Sequence, residues 1–326
     1  MPPRALVWLG GSTLALGLLA GIAALVAHRM ELGPARLDQA GGVLVASTYT
    51  AALAVRAGGR PVVFGVLALL LGVATVVLDL AFLRAGAAVL AAVVTGVLAV
   101  MLTVPAVRFR QAVREAVIAT LVAGVGAFAV VGLRPQVALE RFEYLSLALA
   151  FGLVTILVYR LGAGLHGLGR RGAVVVLGGS LVLAGSLAYA ELLRRYGPTD
   201  AVDSIFEGAR WVRARAGALP RPLEVLVGVP ALLWGTHMRA RRRQGWWLCA
   251  FGVAATASVA TTLVNPATGL PEALLITGYS LGLGVLLGYA AIRLDLLFTA
   301  PRGRRGRRAE ERAALRPEPS RFARLL

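Results

Sequence analysis

Long stretches without any charged side chain are the feature that most restricts how this chain can fold. Ala85–Val107, Gly245–Val264 and Ala273–Ile292 each contain at least 20 consecutive residues with no Asp, Glu, Lys or Arg. A helix of about 20 apolar residues crosses the hydrocarbon core of a bilayer. With 58% hydrophobic and 15% charged residues, the composition excludes a disordered chain and argues against a soluble enzyme. The sequence therefore predicts an integral membrane protein.

Ten segments are predicted to span the membrane, which makes the chain an all-α, polytopic membrane protein. Helices are expected because the backbone inside a bilayer must satisfy its own hydrogen bonds. The second, sixth and eighth segments are short, so the expected number of spans lies between eight and ten. In chain order the ten segments are Ala5–Ala27, Ala40–Val55, Pro61–Leu83, Ala85–Val107, Ala116–Leu133, Tyr144–Tyr159, Gly172–Ala190, Leu223–His237, Gly245–Val264 and Ala273–Ile292.

The distribution of arginine between the loops predicts the orientation of the chain. If both termini are cytoplasmic, 23 of the 34 arginines and only 5 of the 16 acidic residues lie on the inner side. The whole net charge of +18 then falls on that side, as the positive-inside rule requires. The basic character is therefore interpreted as a topology signal and not as a sign of nucleic-acid binding. All 34 basic residues are arginine, which is typical of GC-rich coding and favours a bacterial inner (plasma) membrane.

Residues 191–222 form the longest loop, which this orientation places outside. Within it, residues 201–216 are predicted to form an amphipathic helix, since Val202, Ile205, Phe206 and Val212 recur on one face. We expect this helix to lie flat on the outer membrane surface. Two roles remain open for this helix: it is either a connector packed over the bundle, or a gate or partner-docking element.

The transmembrane bundle is predicted to occupy residues 1–300, and residues 301–326 to form a basic cytoplasmic tail. The glycines and prolines of the tail predict that it is disordered. A cluster of arginines close to the last span is expected to anchor the topology and to attract anionic lipid head groups or an acidic partner. This cluster comprises Arg302, Arg304, Arg305, Arg307 and Arg308.

A few carboxylates near the outer ends of spans are the candidates for a pathway through the membrane. Asp79 interrupts the third apolar segment five residues before Arg84, and it is expected to matter most because buried carboxylates are costly. Glu191, Glu224 and Glu272 lie at the outer ends of other spans. These residues either line a vestibule that favours cations or are separate interface residues. For Asp79, pairing with Arg84 and a role in the pathway are both open.

Uncharged polar residues also occur inside several spans. Thr48 and Tyr49 in the second span and Ser186 in the seventh are candidate pathway residues. The ninth span contains a further group, Ser258, Thr261 and Thr262. Such side chains either line a pathway or bond one helix to another.

Pairs of glycines four residues apart predict close approach between helices. The pairs are Gly17–Gly21, Gly278–Gly282 and Gly284–Gly288. In apolar spans this spacing is typical of helix packing and not of nucleotide binding.

The residues needed for catalysis or for metal and cofactor binding do not form a recognisable pattern in this sequence. Cys249 is the single cysteine, and the histidines are His28, His166 and His237. No catalytic residues, metal ligands or cofactors are therefore predicted, and the chain is not expected to be an enzyme. A transporter or flippase-like protein for a small molecule or lipid is the first hypothesis. The alternative is a non-catalytic membrane scaffold or assembly factor, with a membrane-protein partner or a second copy of the chain.

Overall fold

The computed structural model describes residues 4–161, 177–181, 184, 185, 188, 192, 199–241, 244–299 and 318–325. Helix is the regular secondary structure throughout this part of the chain, which contains no strand. In chain order the helices are α1 (Arg4–Arg29), α2 (Leu37–Arg56), α3 (Pro61–Leu78), α4 (Ala81–Met101), α5 (Phe109–Gly132), α6 (Leu139–Arg160), α7 (Thr199–Ala216), a π-helical turn (Glu224–Gly228), α8 (Val229–Arg239), α9 (Gly245–Phe251), α10 (Val253–Thr256), α11 (Ser258–Val264) and α12 (Leu270–Thr299).

Seven segments of the described chain are long and apolar enough to cross a membrane. The all-α prediction is therefore confirmed for the described residues, and the seven segments are consistent with a multi-pass membrane protein. The number of ten spans stays a prediction. The predicted seventh span falls largely outside the described residues. The seven segments are Gly11–Arg29, Pro61–Leu78, Ala81–Met101, Phe109–Gly132, Leu139–Arg160, Gly245–Val264 and Leu270–Phe298.

The second and eighth predicted spans are helical but are not among the seven. α2 is rich in polar residues, and Asp38, Gln39 and Ser47 are all buried. It packs against α1, α3, α4 and α5, so its polar groups are covered by protein on several sides. The eighth predicted span is helical without a break over residues 222–239, and its hydrogen-bond pattern changes from π-helical to α-helical at Val229.

The helices form a buried centre with a more exposed periphery. About nine-tenths of the residues in Gly245–Val264 are buried, compared with about one-tenth in Pro61–Leu78. α3 therefore presents a continuous apolar surface that includes Val62, Leu67 and Leu70. A surface of this size would be unfavourable in water, and it suits contact with lipid or with another membrane protein.

Glycines allow the central helices to approach closely. A Cβ atom at Gly228 would lie 2.6 Å from the Cβ of Ala255, and one at Gly235 would lie 2.6 Å from the Sγ of Cys249. Larger residues at these positions would force α8 away from α9 and α10, so the sequence fixes a tight contact along this interface.

Charged side chains pair at the two ends of the bundle. At the end where α8 begins, which we call the Glu224 end, Arg134 binds Asp38 at 2.6 Å and Arg221 binds Glu143 at 2.9 Å. The other end, which we call the Arg239 end, holds the ion pairs of Arg239 with Glu318 and of Arg321 with Glu115.

The end of the tail is among the described residues, whereas the disorder expected of residues 301–326 as a whole stays a prediction. Residues 318–325 contain no helix, but they are fastened to the bundle at the Arg239 end. Arg321 donates a hydrogen bond to the carbonyl oxygen of Leu102, and the backbone N–H of Leu325 donates one to the carbonyl oxygen of Arg56. The five arginines of the predicted cluster at 302–308 lie outside the described residues.

A helix does form where the amphipathic helix was predicted. α7 is linked to α12 by an ion pair between Arg213 and Glu272 at 2.7 Å. The hydroxyl of Tyr279 also donates to the carbonyl oxygen of Ala216 at 3.0 Å. Contact with a membrane surface remains a prediction.

Candidate functional site

A widened helical turn introduces the eighth predicted span. In the turn Glu224–Gly228, the N–H of Val229 bonds to the carbonyl oxygen of Glu224, a separation of five residues where an α-helix has four. Pro230 follows immediately and has no N–H to donate. Its ring also disfavours regular α geometry over the preceding turn. The proline thus gives a local reason for a π-turn, a feature that occurs frequently at functional sites.

Glu224 is the acidic residue of this turn and is only 2% exposed. Its Oε1 lies 2.7 Å from the Oγ of Ser258 on α11. The same Oγ lies 2.9 Å from the carbonyl oxygen of Ala254, and one hydroxyl proton cannot serve both acceptors at full strength. When the serine donates to Ala254, a protonated Glu224 can donate to the serine. The pair therefore accommodates Glu224 in either protonation state.

Glu224 belongs to a polar cluster, which we call the Glu224 cluster and which comprises Glu143, Arg221, Glu224, Ser258 and Ser280. Within it, Arg221 contacts three helices. Its guanidinium donates to Oε2 of Glu143 on α6 at 2.9 Å and to the carbonyl oxygen of Ser258 at 3.0 Å. Its backbone N–H donates to Oγ of Ser280 on α12, also at 3.0 Å. Arg221 and Glu143 are partly exposed, whereas Glu224 and Ser258 are buried. A polar route therefore leads from the edge of the bundle towards its interior.

The charges in this cluster do not balance. Glu143 and Glu224 supply two carboxylates, and Arg221 supplies the one guanidinium, which bonds to Glu143 and also attracts Glu224 through its charge. The hydroxyl groups of Ser258 and Ser280 hydrogen-bond to Glu224 as neutral partners. An ionised Glu224 is costly in an apolar interior unless a cation or several donors compensate it. The arrangement can therefore hold a proton on Glu224 or attract a cationic group to it.

The structure places the other predicted pathway residues in separate surroundings. Asp79 is 52% exposed at the C-terminal end of α3 and pairs with Arg84 at 3.3 Å. Thr48 donates to the carbonyl oxygen of Leu44 in its own helix. The hydroxyl of buried Tyr49 donates to the carbonyl oxygen of Val122 on α5 at 3.0 Å. Within the described residues, no hydrogen bond or ion pair joins Asp79, Thr48 or Tyr49 to Glu224.

Two of the predicted pathway residues, Ser186 and Glu191, lie outside the residues whose side chains are described. The vestibule that would combine all these groups therefore stays a prediction.

Sequence reasoning singled out Glu224 and Ser258 but not Glu143, Arg221 or Ser280, which the structure places beside them. Arg221 lies between Pro220 and Pro222, immediately before a predicted span, and this position was the available signal. Nothing local indicated that Glu143 would be its partner, because the two residues are 78 positions apart.

The described part of the chain contains no group of three or more His, Cys, Asp and Glu residues arranged to hold a metal ion. A comparison of the chain with protein-family models, curated proteins and solved structures finds no match.

Proposed function

We propose that this protein is a transporter or flippase-like protein that moves a small molecule or a lipid across the membrane, without catalysing a covalent reaction. The observation that carries the proposal is the buried carboxylate of Glu224 in a π-helical turn. Ionisable groups within membrane segments are costly and usually functional. A π-helical turn within a helix, such as the one that carries Glu224, occurs frequently at functional sites.

The charge of the cluster suggests a cationic substrate group. An ammonium on a small molecule or on a lipid head group would first meet Glu143 and Arg221, which are partly exposed. It would then displace the proton from Glu224, whose bond with Ser258 suits both states of the carboxyl. Proton release would thus accompany binding, and reprotonation would accompany release of the substrate.

The proposed topology has both termini in the cytoplasm of a bacterial cell and the chain in its plasma membrane. The charge distribution supports it, and so does the segregation of ion pairs to two ends of the bundle. Arg56, Glu115, Arg239 and Arg321, all at the Arg239 end, are all cytoplasmic in this topology. In it, α7 and the Glu224 end face outwards, and the basic tail meets anionic lipids.

A scaffold or assembly factor is the second candidate function. Asp79, Thr48 and Tyr49 each bond to a different partner and not to one another. This favours a scaffold, because the three side chains are then engaged in packing and do not line a shared pathway. The exposed apolar surface of α3 would then receive a membrane-protein partner or a second copy of the chain.

The test is transport in proteoliposomes with two amine-bearing or cationic probes. NBD-labelled phosphatidylethanolamine, read by dithionite quenching, reports lipid movement, and ethidium reports movement of an organic cation. We expect Glu224→Gln to reduce the rate at least tenfold, because it removes the charge and keeps the shape. Glu207→Gln, which changes an exposed carboxylate on α7, is the matched control and should retain the wild-type rate.

The outcomes separate the two functions. Movement of either probe by the wild type, with loss in Glu224→Gln only, supports transport through the cluster. If folded wild-type protein moves neither probe, transport of cationic substrates is contradicted and the scaffold is favoured. Equal loss in both variants would contradict the assignment of the site to Glu224.

A further inference from the structure

Two arginines are buried at the Arg239 end of the bundle, far along α8 from the Glu224 cluster. Arg56 is the last residue of α2 and is 1% exposed. Arg239 is the last residue of α8, and its side chain is fully buried. Buried guanidinium groups need anionic or hydrogen-bonding partners to offset the loss of water. The partners of these two residues therefore indicate what this part of the protein is built to hold.

Arg239 is held in one orientation by neighbouring side chains. Its guanidinium stacks on the ring of Trp246, 3.4 Å from the ring centroid. It donates to the hydroxyl of Thr103 at 2.7 Å and to the carbonyl oxygen of the same residue at 3.0 Å. One further Nη1–H is directed to the Sγ of Cys249 at 3.9 Å, and Nε and Nη2 donate to the two carboxylate oxygens of Glu318, at 3.4 and 2.5 Å. This fork geometry is the one that arginine uses for carboxylates and phosphates.

Arg56 lies beside this pair and is incompletely satisfied. It donates to the carbonyl oxygens of Met101 at 2.9 Å, Ser320 at 2.8 Å and Ala323 at 2.6 Å. Among the described residues, its Nη2 atom is buried without a hydrogen-bond partner. A buried, unused donor of a charged group is unusual in folded proteins. The site thus offers more donors than the segment that now occupies it can use.

The occupant is a short segment that is attached mainly by polar contacts. Residues 318–325 have no helical structure, and Phe322 in their middle is 78% exposed. Apart from Glu318, the principal ionic contact is that of Arg321 with Glu115 at 2.8 Å. Ionic contacts weaken in competition with other ions, and Leu325 is the hydrophobic residue of the segment that packs against the core. When the segment leaves, Glu115 keeps its bonds with Arg114 and with the backbone N–H of Val104.

We propose that Arg56 and Arg239 form a binding site for a phosphate-bearing ligand, and that Glu318 occupies this site as an internal substitute for it. A phosphate monoester has three acceptor oxygens and more negative charge than a carboxylate. It would keep the two bonds of Arg239 and also reach the unused donor of Arg56. Its binding displaces residues 318–325. The proposal does not depend on the proposed transport function, since it concerns the opposite end of the bundle and a binding event.

The experiment follows the segment directly with a spin label at Phe322→Cys in the otherwise full chain. The natural Cys249 is fully buried and does not compete for the label. The soluble probe is glycerol 3-phosphate, added to protein in phosphatidylcholine nanodiscs. The lipid probe is phosphatidic acid, incorporated in the nanodiscs in place of part of the phosphatidylcholine. Binding of radiolabelled glycerol 3-phosphate is measured in parallel.

We expect the label to be immobile in phosphatidylcholine and to become mobile as the phosphate probe binds. Glu318→Gln removes the competing charge and should lower the half-saturating probe concentration at least tenfold. Arg56→Gln should raise it at least tenfold, whereas Arg324→Gln, which removes a charge from an exposed residue of the segment, should leave it within about twofold.

Release by glycerol 3-phosphate identifies a soluble phosphate ester as sufficient, and release only with phosphatidic acid identifies a lipid head group. Either result supports the site. Equal release by sodium chloride at matched ionic strength would reduce the effect to screening and overturn the proposal. Failure of both probes to bind wild type and Glu318→Gln would overturn it as well.

Discussion

Asp79 and Glu224 are both carboxylates near the ends of apolar helices, yet their surroundings differ. Asp79 is half exposed, pairs with Arg84 and has a left-handed backbone conformation with φ of 52°. Glu224 is buried beside a hydroxyl group. Of the two, Glu224 is therefore the carboxylate that the protein itself buries, while the expected importance of Asp79 stays a prediction.

Replacing Asp79 by Asn should have a small effect. The pair with Arg84 is partly solvated, so its loss is expected to cost at most about 1 kcal/mol of unfolding free energy. Asn tolerates the left-handed conformation, whereas Asp79→Val should cost about 1 to 2 kcal/mol more because a β-branched residue does not. Thermal unfolding in detergent measures the loss of stability in Asp79→Asn and in Asp79→Val.

Arg84→Gln is the control, since it breaks the same ion pair from the other side and should match Asp79→Asn. Abolished transport by Asp79→Asn with unchanged stability would show that Asp79 belongs to the pathway after all.

At the scale of elements, the contact of α8 with α9 depends on the absence of a side chain at Gly235. An added Cβ would lie 2.6 Å from both the backbone N and the Sγ of Cys249. Gly235→Ala should therefore destabilise the protein by about 1 to 3 kcal/mol, as overpacking does in other cores.

Gly152→Ala on α6 is the matched control, because an added Cβ at that position meets no described atom within 4 Å. There the higher helix propensity of alanine should leave stability unchanged or raise it by up to about 1 kcal/mol. Unfolding free energies in the same detergent compare the two variants, and equal values would contradict the packing argument.

The sequence predicts elements better than it predicts their contacts. Helices follow from apolar runs, and two of the three glycine pairs do lie at helix contacts, with Gly17 facing α2 and Gly284 facing α8. Gly278 and Gly282 have the same spacing but no described atom within reach of an added Cβ. Spacing alone cannot tell these cases apart, because the helix neighbours are set by tertiary packing.

The partners of the charged residues are even harder to predict from the sequence than the helix contacts are. Glu318 belongs to a segment whose composition resembles a solvated tail, and its partner Arg239 is 79 residues away. Long-range ion pairs of this kind leave no local periodic signal. The π-turn at Glu224–Gly228 does have a local cause in the sequence, because Pro230 follows it closely.

At the scale of the whole molecule, the two charged ends allow the orientation to be tested. Cysteine at position 207 on α7 should react with an impermeant thiol reagent added to intact cells, whereas cysteine at position 322 should react only after permeabilisation. Both positions are exposed, and the buried Cys249 should not react with the reagent. Labelling of position 322 in intact cells would contradict the orientation.

The polarity of α2 also has a consequence for how the chain is made. Its buried Asp38, Gln39 and Ser47 make it a poor candidate for partitioning into lipid by itself. Tyr49 finds its hydrogen-bond acceptor only on α5, which leaves the ribosome later. We therefore expect α2 to insert together with α1 and α3 and to reach its final packing once α5 has been made. On this expectation, a chain stalled on the ribosome before α5 would carry an α2 that is not yet fully packed, and protease or thiol accessibility of α2 in such stalled chains would measure it.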